Sequence, residues 1–344
     1  MPTGSGAIVV HRMLERLLDS FHVVPYSPKL TLFPPALKWF VPKPDADIIH
    51  TTPDHGPFFR RPSVPLVVTF HNFVVDRFMS RYSTLAQRIH YATDLKYFLR
   101  RSLDIADRVT AVSQFTADLA RTELGFTGDI DVITNGVDTE AFRPADEIRD
   151  TYKPRVLFSG NPSMRKGAQW LPDIARRLAG KATIVCTVPK ASPWASKLET
   201  AGVEIVDKVP FSAMPDFYRA ADALLLPTVR EGDCLAVLEA MSSGLPVIAS
   251  HCSSLPERVD HEKGGFLCEI GNIDDFVAAV ERIADPQLRS RLAVAARERI
   301  GGERAGQALD ALQAEYPWIG DVRGRGLMQA LEIVEDPETK TPDP

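Results

Sequence analysis

Two carboxylates eight residues apart, Glu231 and Glu239, lie in the segment Arg230–Pro246. The apolar run Leu224–Pro227 before it reads as a buried strand. Leu235–Ser243 has helical composition and is stopped by Gly244-Leu-Pro. Gly232 lets the backbone turn closely past a ligand. A helix beginning at the end of a buried strand offers free N–H groups to an anion. With Glu231 in the turn and Glu239 two helical turns on, the pair could hydrogen-bond hydroxyls at both ends of a nucleotide-sugar. The bland reading, a surface Glu and a helix Glu, accounts for spacing alone but not for the whole segment.

Three further groupings could serve the same chemistry. Ser159–Gly167 follows another strand-like run and places Arg165 and Lys166 at a strand-to-helix turn, where a diphosphate would be neutralised. Ser163-x-x-Lys166 also fits a serine acyl-enzyme motif, but its S-D-N and K-T-G partners are missing from the sequence. His71 ends the strand-like Val64–Phe70, well placed to meet a sugar; His50 and His55 are weaker candidates, without metal-ligand spacing. Gly4 and Gly6, opening the first helix, suit close approach of backbone to phosphate or acceptor, but no third glycine completes a dinucleotide fingerprint.

Such residues need strands that end where they stand. Strand-like runs are Val64–Phe70, Arg108–Val112, Ile130–Thr134, Val156–Ser159, Ala182–Thr187, Val203–Asp207, Ala223–Pro227 and Pro246–Ser250. Helix-like stretches lie between them. In Gly6–Ser20, residues Ile8, Val9, Met13, Leu14, Leu17 and Leu18 share one face; Gly167–Leu178, Met214–Ala221 and Asp274–Ile283 are others. The alternation indicates an α/β fold with parallel sheets, and ligands bind outside the carboxyl ends of such strands. It pauses between Asn135 and Arg155, which reads as a linker. The expected domains are 1–150 and 151–300, facing each other across a cleft, with a tail over 301–344.

Composition sets outer bounds. The chain has 344 residues, 44% hydrophobic and 25% charged, as in an ordinary globular protein of about two domains. Its net charge of −5 gives no footprint for nucleic acid. The four cysteines form no C-x-x-C pair and read as reduced, buried thiols. No run of about 18 apolar residues exists and Met1–Gly6 lacks a signal-peptide pattern, so a cytoplasmic location is expected.

Glu231–Glu239, with Gly232, Ala240-Met241 and Gly244-Leu-Pro, resembles the E-x7-E signature of retaining glycosyltransferase family 4, also called glycosyltransferase group 1, which has the GT-B fold of two Rossmann-like domains. Ser159–Gly167 is similar to the family's G-R-x-x-x-x-K-G loop. Lys166 and Gly167 match, Asn161 after Gly160 replaces the usual Arg, and Arg165 could supply the missing charge. The resemblance covers roughly residues 3–300. It implies that Glu231 contacts the transferred sugar and Glu239 the ribose. It gives the diphosphate to the turn Gly232, Asp233, Cys234, Leu235 and Ala236, the base to the backbone at Val209, and a donor-sugar contact to His71. It also raises the value of Gly4 and Gly6. Val132–Asp138 with Phe142-Arg-Pro matches the N-G-V-D segment before the family's linker. The implied activity is transfer of a sugar from a nucleotide-sugar to a hydroxyl acceptor (a glycan, glycolipid or lipid-linked saccharide), with no cofactor and no metal. The rivals are a nucleotide-sugar epimerase and a non-catalytic binder.

Two departures concern the ends. A Rossmann-like first domain opens with a strand before its glycine turn, and only Met1-Pro2 precede Thr3; the expectation is a missing opening strand, unpaired neighbours and a start truncated upstream. The stretch Leu309–Pro344 resembles the C-terminal region of a class III pyridoxal-phosphate aminotransferase, without that family's Schiff-base lysine region, so no such activity is implied. Its Arg-Gly-Arg-Gly run reads as a turn, and Gly306–Tyr316 as a helix. Finally, Arg77–Arg101 interleaves arginines with Phe78, Met79, Tyr82, Tyr91, Tyr97 and Phe98. It reads first as a helical hairpin packed on the domain, and second as a surface resting on an anionic membrane where a lipid-linked acceptor lies, making the protein peripheral to the inner membrane face.

Overall fold

The computed structural model describes residues 1–146, 151–189, 191–301, 319–325, 328–336 and 341–342. Two compact units result: Met1–Asn135 with Arg230–Asp233, and Gly136–Val229 with Cys234–Pro344. The division falls at Asn135/Gly136 rather than at 150/151, because Val137 and Phe142 are buried in the second unit's core.

In the first unit, strands β1 (Ile49–Thr51), β2 (Leu66–Phe70), β3 (Arg108–Ala111) and β4 (Asp131–Val132) form a parallel sheet in sequential order. Its helices are α1 (Gly6–Leu17), α2 (Leu37–Phe40), α3 (Gly56–Phe59), α4 (Leu85–His90), α5 (Lys96–Ile105) and α6 (Gln114–Leu124). The core joins Leu66, Val68 and Phe70 of β2 to Leu99 and Leu103 of α5 and Ala117, Ala120 and Leu124 of α6. Ser113 caps α6 by accepting from the Thr116 N–H, and Gly125, at φ 72°, ends it in the left-handed conformation.

The chain start agrees with one expectation and corrects another. Before α1 there is no strand, only an isolated parallel bridge, Pro2 to Tyr26, and β1 is an edge of the sheet, paired on one side only, with β2. Helix α1 ends at Leu17, which is 45% exposed, and its buried positions are Ala7 and His11 rather than the larger apolar residues. The residue four places after Ala7 shares its face, so a histidine is carried inward.

The second unit is a six-stranded parallel sheet of β5 (Arg155–Phe158), β6 (Thr183–Thr187), β7 (Glu204–Val206), β8 (Ala223–Leu226), β9 (Val247–Ser250) and β10 (Gly265–Cys268). Helices α7 (Leu171–Arg177), α8 (Pro193–Thr200), α9 (Met214–Arg219), α10 (Leu235–Ser242), α11 (Leu255–Arg258), α12 (Ile273–Arg282) and α13 (Pro286–Gly301) accompany it. Its central strands β8 and β9 are unbroken apolar or small-residue runs, buried throughout because both faces are covered, whereas the edge strand β7 exposes Glu204. Val156 and Phe158 enter one core while Leu157 enters the other; Leu225 likewise opposes Leu224 and Leu226. The order β10-β9-β8-β5-β6-β7 reverses direction between β5 and β8. That is the doubly wound arrangement, and its ligand crevice opens at the carboxyl ends of the two strands flanking the reversal.

The tail forms β11 (Ile319–Arg325), β12 (Met328–Asp336) and β13 (Thr341–Pro342), paired antiparallel in that order. Arg323–Arg325 therefore lie in a strand rather than a turn. The helix expected over Gly306–Tyr316 lies outside the described residues.

Candidate active site

In the second unit, the loops leaving β5 and β8 meet. The Arg165 carbonyl accepts from the Val229 N–H at 2.9 Å and from Thr228 Oγ1 at 2.9 Å. Gly167, at φ +76°, approaches so closely that a Cβ would stand 1.8 Å from the Pro227 carbonyl oxygen. The same bend brings Lys166 Nζ to 4.0 Å from Sγ of Cys234, the residue that caps α10. No side chain caps that helix by hydrogen bond, so its first N–H groups, with Leu235 and Ala236, begin beside the lysine. Gly160 takes φ +121°, and a Cβ on it would stand 4.0 Å from Cε of Lys166. Asn161 follows in the same loop.

Glu239 completes this cluster one turn into α10. It is half-buried by accessible surface but surrounded by protein, and burial pushes its carboxyl up to about 7, against the opposing Tyr218 hydrogen bond and Lys166 charge. The Tyr218 hydroxyl also shares a hydrogen bond with the Ser159 hydroxyl at 2.9 Å, so Glu239 is tied to the end of β5. Val209 lies after β7, two strands away from β5 along the sheet.

The first unit holds the other predicted residues. His71, just past β2, carries a buried Nε2 with no hydrogen-bond partner. Burial, then the nearby His50, push its imidazole down to about 3, so it is neutral at physiological pH. His50 Nε2 contacts Thr69 Oγ1 at 2.6 Å. His11 of α1 lies 4.5 Å from the His50 ring and 5.5 Å from the His71 ring, and its own Nε2 is buried without a partner. Sequence reasoning missed His11 because it stands within an apolar helical face; its spacing after Ala7 was the available signal. His55 bonds Tyr26 Oη at 3.0 Å and Thr52 Oγ1 at 3.1 Å, a structural role. Glu231 and Gly232 are buried here too, and the Asp233 side chain accepts from the Asn135 N–H at 2.7 Å. Gly4 takes φ +83°, yet a Cβ on Gly4 or Gly6 would meet nothing within 4 Å, so neither is needed for close packing.

A lysine, a helix N-terminus and a half-buried carboxylate thus stand together at the switch point of a doubly wound α/β sheet. The profile of Glycosyltransferase Family 4 matches residues 7–141, and that of Glycosyl transferases group 1 matches residues 153–285. The chain thus carries a glycosyltransferase family 4 domain followed by a glycosyl transferases group 1 domain; neither match reaches the tail. A GDP-mannose-dependent alpha-(1-6)-phosphatidylinositol monomannoside mannosyltransferase of Mycobacterium tuberculosis is 27% identical over 246 residues, 63% of this chain and 63% of that protein. Sulfoquinovosyl transferase SQD2 of Arabidopsis thaliana is 25% identical over 250 residues, 69% of this chain and 48% of its own. The chain therefore spans under two thirds of these relatives' length. Among solved structures, sucrose-phosphate synthase of Thermosynechococcus elongatus matches with a TM-score of 0.65 at 22% identity, covering 78% of this chain and 74% of that one. Anabaena HepE in complex with UDP-glucose matches with 0.61 at 17% identity, covering 88% and 89%. At these identities the likeness defines the fold, which is GT-B.

Proposed function

We propose that the protein is a retaining glycosyltransferase that moves a sugar from a nucleotide-sugar to an acceptor hydroxyl. The observation that carries this reading is the meeting of Lys166, the start of α10 and Glu239 at the carboxyl ends of β5 and β8. Lys166, Arg165 and the amides of Gly232–Ala236 hold the diphosphate. Glu239 accepts from the ribose hydroxyls, the backbone at Val209 reads the base, and Gly160 and Asn161 line the loop. Glu231 and His71 contact the transferred sugar; as a neutral imidazole, His71 can donate to or accept from a hydroxyl.

The acceptor oxygen attacks the anomeric carbon on the face the diphosphate leaves. The bond from the anomeric carbon to the phosphate oxygen breaks with its electron pair on the phosphate, which takes the acceptor's proton. Charge neutralisation falls to Arg165, Lys166 and backbone dipoles, so the protein supplies orientation and electrostatics rather than a nucleophile or cofactor. We assign no activity to the tail.

A lipid-linked acceptor at the inner membrane face fits the first unit's surface. Among the described residues no helix is long and apolar enough to cross a membrane. Within Arg77–Arg101, Phe78 faces Arg230 and Phe98 packs on Phe58, while Met79 is buried. Leu85, Ile89 and Tyr97 remain exposed. A stronger patch stands at 28–43: Leu32, Phe33, Trp39 and Phe40 are 86%, 63%, 72% and 71% exposed. Leu37 and Val41, one helical turn apart, fill the core beneath. Lys29, Lys38 and Lys43 flank the patch, and no acidic residue occurs between Ser20 and Pro44. Aromatic residues among lysines suit an anionic lipid surface.

The test is a panel of nucleotide-sugars, including GDP-mannose and UDP-glucose, scored by thermal shift and then by transfer or donor hydrolysis. Lys166→Ala and Glu231→Ala should each lower turnover at least a hundredfold. Unchanged turnover in both removes the site assignment. An epimerised nucleotide-sugar from donor alone, or binding without any turnover, replaces transfer by one of its rivals.

A further inference from the structure

Glu231 stands in a four-residue stretch whose other three members are each gripped within the first unit. The Arg230 side chain is paired with Asp76, and the two are 4% and 7% exposed. The same guanidinium lies over the rings of Phe78 and Phe115, at 5.2 and 4.9 Å. Gly232 is pressed so closely on His71 that a Cβ would stand 2.0 Å from the His71 carbonyl oxygen. Asn135 donates twice to Asp233: its N–H to Oδ2 at 2.7 Å, and its Nδ2 to the carbonyl at 2.9 Å.

Stability alone does not account for this arrangement. A buried ion pair loses two hydration shells and often contributes no more than apolar residues of the same volume. What a planar guanidinium between two rings and against one carboxylate does supply is direction. The two Asn135–Asp233 hydrogen bonds add a second fixed point, two residues beyond Glu231. The grips come from the loop after β2, the start of α6 and the loop after β4, all parts of one folded unit.

We propose that Asp76, Arg230, Asn135 and Asp233 are positioning residues, a clamp that sets the backbone of Glu231 and Gly232. This rests on the reading of Glu231 as the carboxylate that contacts the transferred sugar. The clamp works on turnover more than on donor affinity, because it reaches only the Gly232 and Asp233 amides of the diphosphate site, while Arg165, Lys166, Leu235, Ala236 and Glu239 lie in the second unit.

The test uses two variants of the full chain. Asp76→Leu/Arg230→Met replaces the ion pair by apolar side chains of similar reach, so the fold is retained without the directional contact. Asn135→Ala opens the other side. In each, kcat should fall ten- to a hundredfold, the effect of an angstrom-scale misplacement, while the donor KM changes less than threefold. Hydrogen exchange in the peptide spanning residues 229–235 should quicken at least tenfold, with peptides of β2 and β5 unchanged. Wild-type kcat and Tm in the paired variant assign the ion pair a merely structural role and overturn the proposal. So does unchanged exchange at 230–233. If the wild-type protein turns over no nucleotide-sugar, the transferase reading fails by itself, and hydrogen exchange still decides whether the clamp holds this loop.

Discussion

The Glu239→Gln substitution tests the second-unit site through its electrostatics. Burial raises this carboxyl from 4.5 to about 7, which corresponds to roughly 3 kcal/mol of preference for the protonated form. Part of the side chain reaches water, so about 2 kcal/mol is the working figure. The folded state then binds this proton more tightly than the unfolded state, and stability falls as pH rises from 4.5 to about 7, levelling beyond. Gln is close in shape to the neutral acid and has no such slope. The variant should match the wild type near pH 4.5 and exceed it by about 2 kcal/mol at pH 8, a Tm gain of roughly 4–8 °C for a unit of this size. The same change should weaken nucleotide-sugar binding about tenfold, since a hydrogen bond to an ionised acceptor is lost. Urea and thermal unfolding at the two pH values, followed by donor titration, read both effects. A variant less stable than wild type at pH 8, or a difference independent of pH, refutes the reasoning that Glu239 is held against its charge.

Further outcomes follow from the same geometry. His11, His50 and His71 are all pushed down by burial, to about 2, 4 and 3; their stabilisation is present above pH 6.5 and lost as pH falls towards 3. The first unit should therefore unfold on mild acidification, measured by circular dichroism, and His11→Phe should reduce that acid sensitivity. Gly167→Ala places a Cβ against the Pro227 carbonyl at a left-handed backbone position, and Gly232→Ala does so against the His71 carbonyl. Each should cost about 1–3 kcal/mol in urea unfolding and lower turnover, with full activity of either variant excluding the close approach. Trp39→Ser/Phe40→Ser should leave unfolding midpoints unchanged and reduce sedimentation with phosphatidylglycerol vesicles several-fold. Binding to neutral and anionic vesicles alike, or loss of self-association in place of vesicle binding, removes the membrane reading.

The sequence by itself determined the elements of the second unit and the residues that end them. Buried parallel strands need unbroken apolar runs, so Val156–Ser159 and Ala223–Pro227 announce themselves, and Lys166, Glu231 and Glu239 stand at or beyond such ends in register with a known signature. Short strands carry less pattern: β1 has three residues and β4 two, and the run expected over Ile130–Thr134 pairs only at Asp131 and Val132. Only the tertiary structure decided which distant side chains meet. Nothing local in Asp76, Phe115, Asn135 or Tyr218 marks them, since each takes its meaning from a partner 98 or more residues away, as with Asn135 and Asp233, or 59 away, as with Tyr218 and Ser159. The same holds for the surface at 28–43, where one helical turn sends Leu37 and Val41 inward and leaves Trp39 and Phe40 outside. Hydrophobic periodicity specifies that a face will be buried; packing alone specifies against what, and which polar groups are carried in with it.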